Sequence, residues 1–298
     1  MEPIRSRVLS IIHNPIVDPR GARLAQHLGW HNPDALARDY IRDVHQASHG
    51  RVQYEIAERI EVDGFPIKFD GFRYDAPTYL NAWQSRRGFH EPDAVDYMAL
   101  VREFGMIEKI EANQIDEVWL FGFPYAGYYE STMCGRDAFW CNSLPVAATA
   151  HCERRFIIMG FNYERDVGCM LEDLGHRVES IMGKVYEGRR GADNLWQHFT
   201  RYDKIAPGNA SVGNMHFAPN SRRDYDWGNP RPVPSDCDDW LHFPNLTGDA
   251  RMVSAKDWGR GDMRLHHLWW FERLPHTEGE SGGVSNNWWD YIIDPNNV

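Results

Sequence analysis

The feature that most constrains this chain is the alternation of short apolar runs with longer stretches of helical periodicity through its first two-thirds. Val8–Ile12 is an aliphatic run that stops at His13-Asn14-Pro15. The proline lacks a backbone donor and restricts the residue before it, so the run reads as a buried strand ending there. Asn32-Pro33-Asp34 then opens a helix, with Asn32 as N-cap and Pro33 in the first turn. Leu36, Tyr40, Ile41 and Val44 recur at helical spacing before Gly50 ends the pattern. Val52–Val62 alternates as a second strand up to an Asp63-Gly64 turn. Asp93–Phe104 is again helical, Glu117–Phe121 and Arg155–Phe161 are apolar strand runs, and a long helix is expected from Glu164 to Tyr186. Strands and helices in this order predict an α/β layered fold with a largely parallel central sheet.

Past residue 205 the pattern changes. Pro, Gly, Asn, Asp and Trp dominate, and only Arg264–Leu274 keeps helical periodicity. The expectation is one α/β domain over 1–298, with a βα-alternating core over 1–204 and long ordered loops plus one helix over 205–298. Ordered loops of that length are more often functional than idle. Seven of the twelve tryptophans fall between Trp227 and Trp289. Trp buries a large area, so such a cluster forms either a core or a flat aromatic platform for sugar rings. Trp269, Trp270 and Trp288 are the platform candidates.

Charge and cysteine content narrow the function classes. A formal net charge of −11 argues against nucleic acid and other polyanions as partners, because phosphate binding draws on clustered Lys and Arg. A neutral substrate fits better. No run approaches the ~18–20 apolar residues of a membrane span, so no membrane insertion is expected. None of the five cysteines lies in a CxxC pair, which leaves zinc ribbons and thioredoxin-like motifs unsupported. Cys134, Cys141 and Cys152 share one loop-rich stretch in which a disulfide would fit an exported protein. No basic-then-apolar leader opens the chain; a complete chain would be cytoplasmic, and a chain whose leader was removed extracellular. Dinucleotide, NTP-binding and serine-hydrolase signatures are missing too.

If the strands run parallel, the segments leaving their carboxyl ends converge on one rim, where open α/β sheets bind ligands. Those segments carry His13 and Asn14 after the first strand, Tyr125, Tyr128, Tyr129 and Glu130 after the third, and Asn162, Tyr163 and Glu164 after the fourth. Glu130 and Glu164 form a candidate acid/base carboxylate pair of the kind glycoside hydrolysis uses, with Asn14, Tyr125, Tyr128 and Asn162 as substrate contacts. Glu164, placed at a helix start, is also explained by the helix dipole alone.

The 164–186 helix carries a second candidate. Val167, Met170, Leu171, Leu174, Val178, Ile181, Met182 and Val185 form an i, i+3, i+4 stripe, and Glu172, His176 and Glu179 share another face. Exposed, these three are an ordinary charge pairing; covered, they line an internal polar site able to hold a divalent metal or move a proton. Three function classes follow. The first is a hydrolase of neutral glycans through Glu130 and Glu164 with His176, which requires no cofactor. The second is a metal-dependent hydrolase or peptidase centred on His176, with Glu172 and Glu179 nearby. The third is a non-catalytic carbohydrate-binding or interaction module.

Overall fold

The computed structural model describes Glu2–Val298. In chain order the elements are β1 (Ile4–His13), α1 (Leu24–His27), α2 (Pro33–Ala47), β2 (Val52–Val62), α3 (Ala76–Ser85), α4 (Tyr97–Glu103), α5 (Met106–Glu111), β3 (Glu117–Gly122), β4 (Ser131–Cys134) and β5 (Phe156–Asn162). They continue with α6 (Val167–Val185), α7 (Leu195–Phe199), β6 (Val233–Ser235), β7 (Arg251–Val253), α8 (Met263–Phe271), β8 (His276–Ser281), β9 (Val284–Asn287) and α9 (Trp289–Ile293). The fold is α/β, with a five-stranded sheet of order β2-β1-β3-β5-β4. The β1–β3 and β3–β5 pairs are parallel, while β4 joins the β5 edge antiparallel. No helix among the described residues is long and apolar enough to cross a membrane.

The chain packs as two compact units. One comprises Ser6–Asp39 and Tyr54–Asp173; the other comprises the residues up to Arg5, Tyr40–Gln53 and Leu174–Val298. The first holds the sheet. All six residues of β3 are buried, as are the first six of β5, the continuous apolar reading expected of central parallel strands. Leu9, Ile11, Val118, Leu120 and Ile158 of the strands pack with Leu100, Val101, Met106 and Ile110 of α4 and α5. Helix ends follow local chemistry: the Asp75 and Asp96 carboxylates accept N–H bonds from Thr78 and Ala99, capping α3 and α4.

The second unit is held by aromatic rings. Trp240, Trp270, Trp288 and Trp289 are essentially inaccessible, and Trp269 is buried as well. Trp288 has Tyr186, Trp196, Phe199, Trp240 and Phe243 within 5.6–6.3 Å, centroid to centroid. Three platform candidates of the sequence, Trp269, Trp270 and Trp288, therefore lie in this unit's interior. Fully buried Arg177 of α6 donates through Nε to Ile292 O at 2.9 Å and through a terminal nitrogen to Ile293 O at 3.2 Å. It thereby satisfies carbonyls at the end of α9 that the helix cannot satisfy itself. All five cysteines are free thiols, four of them buried.

Candidate functional site

Two groups of polar side chains stand out. The first begins where β3 and β5 end. Gly160 of β5 lets the approaching chain lie against the strand: a Cβ there would sit 2.3 Å from Tyr129 O. Its N–H donates to Glu130 O at 3.0 Å. That contact fixes Glu130 beside the strand end, where Asn142 donates a side-chain hydrogen bond to its carboxylate. The resulting cavity, about 270 Å³, is lined by Tyr125, Glu130, Asn162, Arg165, Cys169 and Asp173 among others. Tyr125 has a left-handed backbone, its ring stacks on Phe89 at 3.6 Å, and its carbonyl accepts from buried Lys68 Nζ at 2.7 Å. Lys68 also pairs with Asp93 at 2.5 Å, so that buried charge is matched.

Asp173 is the unusual member. It is only 4 % exposed, yet its carboxyl makes no hydrogen bond or ion pair among the described residues. Burial pushes its pKa well above the ordinary carboxylate range; Glu130 and Glu172 push the same way, and Arg165 opposes them. Cys169 beside it is likewise driven up, mainly by burial.

Deeper in this unit, Tyr128 Oη lies 2.7 Å from His13 Nδ1. Burial, with Arg73 adding repulsion, lowers His13 to about 4, so the imidazole is neutral at physiological pH. Asn14 is bound up structurally: Oδ1 accepts from Ala25 N at 3.1 Å, and Nδ2 donates to Glu61 at 3.2 Å. It faces a separate cavity with Arg23 and Glu61. Of the rim candidates, Tyr125, Tyr128, Glu130 and Asn162 line the strand-end cavity; Asn14 and Glu164 do not. Glu164 is half-buried, with its N–H donating to Asn162 Oδ1 at 2.9 Å. The long helix starts at Val167, three residues later than the sequence suggests, because Asp166 supplies the capping carboxylate, accepting from Gly168 N at 2.8 Å.

The second group is built on α6, one unbroken helix. Its face opposite the apolar stripe is covered, leaving Glu172 8 % exposed. His176 follows Glu172 by one turn of the same helix. One turn further along, the Glu179 carboxylate is bonded through Oε2 to His176 Nδ1 at 2.9 Å and accepts from Met215 N through Oε1 at 2.9 Å. Gly175 makes the approach of that loop feasible, since a Cβ there would meet the Met215 side chain at 2.1 Å. The loop then delivers His216, whose Nε2 lies 3.1 Å from His176 Nε2. On the far side of His216, Nδ1 is 3.7 Å from Asp224.

The tautomers make this geometry informative. A neutral His176 that donates Nδ1–H to Glu179 presents a bare lone pair at Nε2. Two imidazole Nε2 atoms 3.1 Å apart then need a proton or a cation between them. Tetrahedral ligands with bonds of ~2.0–2.1 Å are about 3.3 Å apart, close to the observed separation. A carboxylate on the outer nitrogen of His176 is the arrangement that orients metal-binding histidines and raises their basicity. His267 belongs to the same unit and is also completely buried. Its Nδ1 lies 3.2 Å from His266 Nδ1, and its Nε2 has no partner among the described residues. Burial lowers its pKa well below the ordinary value, and His266, His176 and His216 add to the effect. The four imidazoles thus form one electrostatic group.

Sequence reading had pointed to Glu172, His176 and Glu179 from helical spacing. No spacing rule links His176 to His216, 40 residues further along the chain. That reading missed Asp173 and Cys169, which helical spacing could have flagged as sharing a flank of α6, and Arg165, which precedes the helix. No protein-family model matches this chain, and no curated protein or solved structure matches it either.

Proposed function

We propose that this chain is a metal-dependent hydrolase centred on His176 and His216, with Glu179 orienting His176. The observation that carries the reading is the Nε2–Nε2 approach of 3.1 Å between imidazoles, one of them bonded at its outer nitrogen to Glu179. Two imidazole ligands leave coordination positions open. A first-row divalent ion in such a set lowers the pKa of a bound water toward ~7 and polarises a carbonyl or phosphoryl oxygen. The residues then have separate duties. His176 and His216 bind through Nε2, and Glu179 locks the His176 tautomer and anchors the loop that brings His216. A glycan hydrolase working through the strand-end cavity would draw on Glu130 and Asp173, because Glu164 does not line it.

The test begins with elemental analysis of protein purified without added metal. About one equivalent of zinc, falling at least tenfold in both His176→Ala and His216→Ala, supports the reading. Turnover of p-nitrophenyl acetate, bis(p-nitrophenyl) phosphate or a quenched peptide, lost on chelation and restored by zinc, completes it. Metal-free protein, or full occupancy in both variants, sinks the site. One equivalent of iron in place of zinc would keep the site but overturn hydrolysis, since imidazole ligands also suit oxygen-activating iron.

A further inference from the structure

The strand-end cavity is independent of the imidazole cluster and has its own chemical logic. A carboxyl group that is 96 % buried and makes no hydrogen bond is costly unless something supplies a donor. Asp173 lines the cavity, so the donor would come from whatever occupies it. The other wall residues restrict the occupant's charge. Glu130 disfavours an anion, and Arg165 on the same lining disfavours a cation. A neutral molecule with several hydroxyl groups satisfies both conditions. Its O–H groups can donate to Glu130 and to the Asp173 carbonyl oxygen and accept from Arg165 and Asn162. The aromatic ring of Tyr125, stacked on Phe89, offers an apolar face to its C–H surface. A volume of about 270 Å³ is enough for one six-membered polyol ring rather than an extended chain.

We propose that this cavity is a binding site for a neutral, polyhydroxylated small molecule of monosaccharide size, held by Glu130, Asp173 and Arg165. A charge series on one ring tests it. D-Glucose, D-xylose, D-glucosamine and D-glucuronate are titrated, each up to 50 mM, into the full chain and followed by calorimetry and chemical-shift changes. Glucose or xylose should bind at least tenfold more tightly than both charged sugars. Glu130→Gln and Asp173→Asn, which preserve shape, should each weaken that binding at least fivefold with the thermal transition still cooperative. Binding that survives both substitutions places the sugar elsewhere and overturns the proposal. So does silence from both neutral sugars, or glucosamine or glucuronate binding as tightly as the neutral pair. His176→Ala should leave the neutral-sugar affinity unchanged, so loss of the metal and loss of this site are read separately.

Discussion

Around β3 and β5 the polar groups of interest gather at one end of the strands, where the chain leaves the sheet. Around Trp270 and Trp288 they are held instead by a helix face and loops among indole rings. The sheet unit has an aliphatic interior of Leu, Ile and Val with a regular backbone, so its polar chemistry is displaced to the rim. The other unit has few regular strands and uses rings to exclude water, which allows buried His266 and His267 to lie within its interior. A parallel sheet therefore announces its functional edge through strand order, whereas an aromatic, loop-built interior announces nothing until the loops are placed.

The sharpest way to break this contrast is to remove a ring. Trp288 is fully buried among five other aromatic side chains, so Trp288→Ala should cost about 3–5 kcal/mol, with the cavity as well as the lost transfer energy contributing. Leu120→Ala in the sheet should cost roughly 2–5 kcal/mol by the same reasoning. Denaturant titration followed by Trp fluorescence reads the first directly, because eight of the twelve tryptophans belong to the aromatic unit. A loss under about 1 kcal/mol for Trp288→Ala would mean that the rings are loosely packed.

Acid sensitivity should separate the regions next. His13 is lowered to about 4 in the folded sheet unit, below its ordinary 6.5. The unfolded chain therefore takes up a proton that the folded chain refuses. Stability is full above about pH 6.5 and is lost as pH falls from there toward 4, by about 3 kcal/mol for this one group. His13→Asn, which keeps a polar atom near Tyr128 Oη, should remove that portion of the acid-induced loss. A variant with an unchanged pH profile would show that His13 is not the group responsible.

The same contrast explains what could be read in advance. The β1, β3 and β5 runs were legible because buried parallel strands are continuously apolar, and the α6 stripe because its period is 3.6. β4 was not, since Ser131–Cys134 is four residues with no apolar run, and its pairing with β5 is set by the approach over Gly160. Glu130, Tyr125 and Asn162 were legible at the rim through the strand ends. Asp173 was not, because a single carboxylate beside Glu172 looks like a solvated helix face until its burial is known. His176 and Glu179 share a helix and could be paired by spacing, but His216 reaches them only through the Met215 loop.

Two glycines give the finest test, since adding one methyl group to each should disturb a different site. At Gly160 the new Cβ meets backbone, Tyr129 O at 2.3 Å, and neither strand can yield without losing ladder hydrogen bonds. Gly160→Ala should cost about 1–3 kcal/mol, with loss of neutral-sugar binding because Glu130 is displaced. At Gly175 the new Cβ meets the buried Met215 side chain, Cε at 2.1 Å and Cγ and Sδ at 2.7 Å, so more than its flexible end must shift. Gly175→Ala should therefore cost about 1–3 kcal/mol in stability. Moving Met215 also shifts the loop that Glu179 anchors, and with it His216, so zinc affinity should fall by tenfold or more. If Gly175→Ala instead unfolds the protein while Gly160→Ala is silent, the rigid element is the loop and the adaptable one is the sheet edge. If zinc affinity stays intact in Gly175→Ala, the His216 loop holds its place without the close approach at α6.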